Sequence, residues 1–336
     1  MSETLALPQG SLVLVTGANG FVGSHVVEQF LAHGYRVRGT TRTVSKLDSL
    51  KKRWDEKYPG KFEVAQVSDI LAEGAFHDAT KGCDGVAHTA SNVSFSSDVD
   101  EVVRDAVEGT LNALRSAAAT PSIKRFVLTS SIVAVGLGGD KKYGPNDFFN
   151  DSIGLAKALP ADDPRKGSLA YASSKTQAEQ AAWKFVEDNK PSFVLNVVNP
   201  AFVLGEILNL SGEAGSSAGF TKALFTGTSD MVRHVMTDVE FVPATDIGLL
   251  HVGALVLPGV ANKRLIASPH ASSWNQVLAI FRKNFPQQKF YEDLPETKAP
   301  SNESTYDSDA SLEVLKKMGK EEGWTPLEQT LLELVA

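Results

Sequence analysis

An α/β fold, a doubly wound parallel sheet with a smaller C-terminal lobe, is what this sequence predicts, on three observations. Short β-branched apolar runs alternate with longer amphipathic stretches through the first half, which is the pattern of βαβ units. A glycine-rich turn follows the first of those runs, and the alternation loosens after Asn199 and Pro200. At 336 residues, one large domain with an appendage is expected rather than several separate cores.

The strand candidates are residues 12–16, 36–41, 62–66, 85–89, 125–130 and 194–199, and the helix candidates between them are 21–33, 45–57, 72–80, 99–119 and 170–189. That order predicts a Rossmann-like core, in which ligands gather at the carboxyl ends of the strands. Residues 205–217 are rich in Gly and Ser, and a helix follows from Ala218. Further helices are expected at 245–257, 274–284, 308–318 and 326–335, with a short strand at 264–267. We assign 1–204 to the nucleotide-binding domain, with 235–268 returning to it, and 205–336 mainly to a substrate-covering lobe.

Composition narrows the function. The chain is 42% hydrophobic and 22% charged with a net charge of -7, so it lacks the excess of cations that a nucleic-acid partner requires. Its single cysteine, Cys83, excludes a disulfide framework and a Cys-based zinc site, and the seven histidines form no metal-binding motif. Residues 1–10 lack the pattern of a signal peptide, and the most apolar segment, 248–258, is too short to span a bilayer. No membrane partner, no metal and a cytoplasmic location are the expectations.

The first strand runs into Gly17, Gly20 and Gly23, and then into a helical stretch. Gly17 permits a tight turn, Gly20 lets backbone approach a pyrophosphate, and Gly23 lets the helix pack closely on the sheet. Unpaired N–H groups at the helix start then face the phosphates. Glycines also mark purely structural turns, so the position after strand one carries the weight. Enzymes that use NAD place an acid about 20 residues on, at the ribose 2′-hydroxyl. Here the second strand ends at Arg42, with Lys46 one turn later and no acid before Asp48. A guanidinium suits a 2′-phosphate, which favours NADP over NAD; alternatively the two cations merely solvate a helix start. Asp69 and Ile70 follow strand three, where such folds receive adenine, although Asp69 also suits a helix N-cap.

Tyr171 and Lys175 stand at i and i+4 in a helix-favouring run, which makes a phenol and an ammonium neighbours. An adjacent cation is expected to lower the tyrosine pKa by stabilising phenolate. The pair alone also fits an ordinary surface helix. Ser131, leaving the hydroxyl-rich end of the fifth strand, can hydrogen-bond a carbonyl oxygen at the crevice, or can simply cap. His88, which closes the fourth strand, reads as structural rather than as a base.

Taken together, the segments 16–23, 127–131, 171–175 and 199–205 resemble, in order, the motifs of the extended short-chain dehydrogenases/reductases. The likeness covers nearly the full chain and is strongest to the fungal NADPH-dependent aldehyde and carbonyl reductases, a group related to dihydroflavonol reductase and yeast methylglyoxal reductase. The resemblance implies that Gly17, Asn19, Gly20, Phe21 and Val22 cradle the pyrophosphate of NADPH/NADP+ and that Arg42 and Lys46 hold the 2′-phosphate. It implies that Asp69 and Ile70 flank adenine and that Thr89, Ala90 and Ser91 line the ribose path. Lys175 would hold the nicotinamide ribose beside Tyr171, Pro200 and Val203 would fix the carboxamide, and Ser217 would also contact the cofactor. Many relatives carry Asn where this chain has Ala106, which puts a relay through that asparagine in doubt.

The expected chemistry is reduction of an aldehyde or ketone, with Ser131, Tyr171 and Lys175 catalytic and Asn92, Val93, Phe95 and Ser131 against the substrate. A monomer or homodimer acting on a small carbonyl compound is expected. Two alternatives stand beside it: a sugar-nucleotide epimerase or dehydratase that retains NAD, and a non-catalytic NADP-sensing protein.

Overall fold

The computed structural model describes residues 4–91, 96–138, 141–209, 216–235, 238–295 and 304–336. In chain order the strands are β1 (Leu12–Thr16), β2 (Arg36–Thr41), β3 (Phe62–Gln66), β4 (Gly85–His88), β5 (Arg125–Thr129), β6 (Val194–Pro200), β7 (Phe202–Leu204), β8 (Asp238–Pro243), β9 (Arg264–Ala267) and β10 (His270–Ser273). The helices that position the site are α1 (Phe21–Ala32), α2 (Asp48–Lys57), α3 (His77–Thr80), α4 (Val99–Ala118), α5 (Ser152–Ala158) and α6 (Lys166–Asn189). After them come α7 (Ser216–Thr226), α8 (Met231–Val235), α9 (Ala244–Val256), α10 (Trp274–Asn284), α11 (Asp309–Lys317) and α12 (Leu327–Val335).

Seven strands form one parallel sheet in the order β3-β2-β1-β4-β5-β6-β9. The pleat sends Val13 and Val15 of β1 into the core beneath α1 and α9, and Leu12 and Leu14 into the core on the other face, with Phe126 and Leu195. The strand order reverses between β1 and β4, so their carboxyl ends open a crevice there. On one side of the sheet α9 lies against α1, and Gly248 permits it: a Cβ there would sit 2.6 Å from the His25 carbonyl oxygen. β9 pairs with β6 in register Val197 to Arg264, which brings the late part of the chain back into the main sheet.

A second sheet, ordered β10-β8-β7, carries a separate apolar cluster built on Leu204, Phe241, Trp274, Leu278, Phe281 and Leu331. The sequence reading missed its three strands and the helices α5 and α8. Two predicted helices also change. The stretch from 72 shortens to α3, because Gly74 takes a φ of +71° that a helix cannot continue. The stretch from 45 opens with a 3-10 turn over Val44–Leu47, and α2 begins only at Asp48. Among the described residues no helix is long and apolar enough to cross a membrane.

Candidate active site

The turn after β1 is tied to its neighbours by backbone. Gly17 takes a φ of +67°, its N–H donates to Thr40 Oγ1 at 3.2 Å, and the Ala18 N–H donates to the Thr40 carbonyl at 2.9 Å. Gly20 caps α1, whose first-turn N–H groups point toward the crevice end. There is no room for side chains here. A Cβ on Gly23 would lie 2.2 Å from the Gly17 carbonyl oxygen, and one on Gly17 would lie 3.0 Å from the Ala90 Cα. Asn19, Phe21 and Val22 belong to the same turn, and the Asn19 carbonyl accepts from Asn209 Nδ2 at 3.0 Å.

Thr16 joins this turn to the end of β4. Its hydroxyl accepts from the N–H groups of Thr89 and Ala90, both at 3.0 Å, and pairs with His88 Nδ1 at 2.9 Å. His88 is therefore occupied beneath the crevice, and burial with the nearby Lys175 charge pushes its pKa down to about 3. Thr89, Ala90 and Ser91 are half-buried along the rim.

Arg42 and Lys46 are exposed at the end of β2 and in the turn after it, and neither side chain has an acidic partner among the described residues. Asp69 is exposed and accepts the Leu71 N–H at 2.9 Å, a local turn, while Ile70 packs toward Gly109 of α4. Pro200 and Val203 are buried at the end of β6 and in β7, and Ser217 is half-buried in the first turn of α7. Asn92, Val93 and Phe95 lie outside the described residues.

At the other end of the crevice Ser131 follows β5 and Tyr171 projects from α6. The Ser131 hydroxyl hydrogen-bonds Tyr171 and accepts the Val133 N–H at 3.4 Å, so it caps and meets the phenol together. Lys175 is buried one turn along, its Nζ 5.9 Å from the Tyr171 ring centre and 3.4 Å from the Thr129 carbonyl, to which it donates. The expected depression of the tyrosine is not found. Burial raises the Tyr171 hydroxyl and the Ser131 bond only partly offsets that, so the phenol keeps its proton at neutral pH. Burial also brings Lys175 down to about 8, opposed by the charge of Glu179.

Glu179 escaped the sequence reading. It is wholly buried, and its oxygens accept from Ser130 Oγ (2.7 Å), Asn199 Nδ2 (2.8 Å), Arg264 Nε (2.5 Å) and Trp183 Nε1 (3.3 Å). Arg264, from β9, also donates to the carbonyls of Pro145 and Asp147 and stacks on Phe148. The signal that could have found Glu179 is spacing: Tyr171, Lys175 and Glu179 step by four along one helix face.

The profile of the NAD dependent epimerase/dehydratase family matches residues 13–206, which hold the glycine turn, Ser131, Tyr171 and Lys175. The chain belongs to this family. It is similar to aldehyde reductase 2 of Sporidiobolus salmonicolor, with 50% identity over 341 aligned positions that cover 99% of this chain and 97% of that one. Among solved structures it is similar to a reductase engineered to attenuate substrate inhibition in asymmetric catalysis, at a TM-score of 0.82 and 26% identity, covering 97% and 99% of the two chains. It shares its fold with yeast methylglyoxal/isovaleraldehyde reductase complexed with NADPH, at a TM-score of 0.77 and 24% identity over 96% of each chain. Family membership, a Rossmann-like core and an extended short-chain reductase architecture thus match the expectation from the motifs.

Proposed function

We propose that this protein is an NADPH-dependent reductase of aldehydes and ketones. The observation that carries the reading is the meeting of Ser131, Tyr171 and Lys175 at the carboxyl edge of β5, across the crevice from the glycine turn. The 50% identity to an aldehyde reductase supports the substrate class.

The residues present fit the cofactor. Gly17, Gly20 and Gly23 leave a cradle that a Cβ would fill, and Asn19, Phe21 and Val22 complete it with backbone at the start of α1. Arg42 and Lys46 are two exposed cations after β2 with no acidic partner among the described residues, suited to a 2′-phosphate. Asp69 and Ile70 stand for the adenine, Thr89, Ala90 and Ser91 for the ribose, and Pro200, Val203 and Ser217 for the nicotinamide end. When bound, NADPH supplies the hydride.

The chain's own residues do the rest. Ser131 and Tyr171 donate hydrogen bonds to the carbonyl oxygen and fix its position. As charge builds on that oxygen, Tyr171 gives up its proton as general acid. Its raised hydroxyl ensures that the proton is there to give. Lys175 stabilises the phenolate that remains, and the lobe after Gly205 covers the substrate. The same reading makes the protein a cytoplasmic monomer or homodimer.

The test is an NADPH-consumption screen of the purified chain over aldehydes, keto esters and diketones, with NADH in parallel. Turnover with NADPH is expected. Failure across the panel with tight NADPH binding would favour a sensing role, and tightly held NAD in purified protein would favour an epimerase.

A further inference from the structure

A cavity of about 10 Å³ lies beside Lys175, lined by Ser91, Ala106, Thr110, Ser130 and Glu179. That is room for one water, and the hydroxyls and carboxylate around it supply the partners a buried water needs. Ala106 is one wall of it, and a longer side chain there would enter this space. Lys175 and Glu179 make no direct ion pair: the ammonium reaches the Thr129 carbonyl, and the carboxylate faces Arg264.

We propose that Glu179 is a positioning residue for Lys175, its carboxylate fixed by Arg264, Ser130 and Asn199 and coupled to the buried ammonium through one water in the Ala106 cavity. The proposal rests on the reading of Lys175 as the partner of Tyr171. An ammonium taken out of water needs an opposite charge or it sheds its proton. The groups facing it are few. From α6 come Tyr171 and Glu179, and from β4 comes His88. β5 offers the Thr129 carbonyl, the residue after it offers the Ser130 hydroxyl, and α4 offers Ala106 and Thr110. α9 offers His251, bonded to Thr129 Oγ1 at 2.8 Å, and β9 offers Arg264 through Glu179. Burial holds His88 and His251 neutral, with pKa values of about 3 and 4, so Glu179 is the carboxylate whose charge acts on the lysine.

The sign follows. Activity that needs the ammonium is lost as pH rises through the Lys175 pKa, and removal of the carboxylate moves that loss to lower pH. Glu179→Gln alone leaves Arg264 as an uncompensated buried cation and threatens folding, so the variant of choice is the pair Glu179→Gln/Arg264→Gln. With saturating NADPH, its alkaline limb in kcat should move down by about one pH unit, so that kcat falls about fivefold more at pH 8 than at pH 6. In the cofactor-free protein the ¹³Cε resonance of Lys175, assigned by its loss in Lys175→Arg, should titrate correspondingly lower. Ala106→Val, which fills the cavity, should move both in the same direction by less. A uniform drop in kcat with an unmoved limb and an unmoved resonance in the double variant overturns the role of Glu179. Unmoved values in Ala106→Val overturn the bridging water. The resonance is independent of whether Tyr171 donates the proton, so these failures are separate from failure of the reductase reading.

Discussion

The two ends of the crevice are built on opposite principles. At the phosphate end almost everything is backbone and absence of side chain: Gly17, Gly20 and Gly23 leave no room for a Cβ in the turn that opens α1, and the cations at Arg42 and Lys46 stand exposed. At the chemical end the work is done by side chains, the buried Ser131, Lys175 and Glu179 with the half-buried Tyr171, each fixed by a named neighbour. A site that recognises by shape tolerates no added atom, whereas one that acts by charge tolerates atoms but not a lost proton or partner.

Substitutions that separate the two ends test this contrast, the largest effect first. Tyr171→Phe removes the acid and should lower kcat by roughly 10²–10⁴-fold with the NADPH affinity intact; wild-type turnover would show that the two ends are not divided in this way. Gly23→Ala puts a methyl 2.2 Å from a backbone oxygen, and NADPH affinity by fluorescence titration should fall on the order of 100-fold. An unchanged affinity would mean that the turn is not a close-fitting cradle. Arg42→Ala should weaken NADPH about tenfold while leaving NADH unaffected, because only the 2′-phosphate loses a charged hydrogen bond. Equal losses for both cofactors would remove the NADP assignment.

The smallest effect concerns pH. His88 and His251 are held neutral in the fold, at about 3 and 4, against about 6.5 when unfolded. Their folded pKa values are depressed, so this contribution is complete above pH 6.5 and is lost as pH falls toward 4. Denaturant unfolding of His251→Gln should show a stability slope shallower than wild type by about 1.4 kcal/mol per pH unit in that window. Parallel slopes would show that His251 is not a buried neutral group.

Much of the molecule was legible in the sequence because its core strands are short, apolar and separated by punctuating glycines. Six of the seven parallel strands were expected within a residue of their observed ends, and β9 at its observed bounds. The second sheet was not legible: β10 reads His270-Ala-Ser-Ser, with no alternation of apolar and polar residues, and β7 spans three residues directly after β6. The same divide runs through the site. Tyr171, Lys175 and Ser131 are local patterns at the end of recognisable elements. The Glu179 partner Arg264 lies 85 residues later, and no spacing rule links a helix to a strand across that distance. The direction of the Tyr171 shift was missed for a related reason, since burial is set by tertiary packing and outweighs what a neighbouring lysine implies.

The return of β9 to the main sheet has a consequence for how the chain is made. Synthesis is vectorial, and domains begin to organise from the N-terminus while the rest is still being added. The glycine turn, Arg42, Lys46 and the end of β4 all precede the end of α4, so the residues of the phosphate end have emerged about a third of the way through translation, although Asn209 and α9, which pack on the turn and on α1, come later. Glu179 appears midway, but its counter-charge on Arg264 does not exist until three-quarters of the chain has been made. Until then a carboxylate destined for full burial has no guanidinium to meet it. Completion of the chemical end is thus tied to arrival of the last strand of the main sheet, and a ribosome-stalled fragment ending before residue 264 should hold a nucleotide turn without a finished catalytic helix.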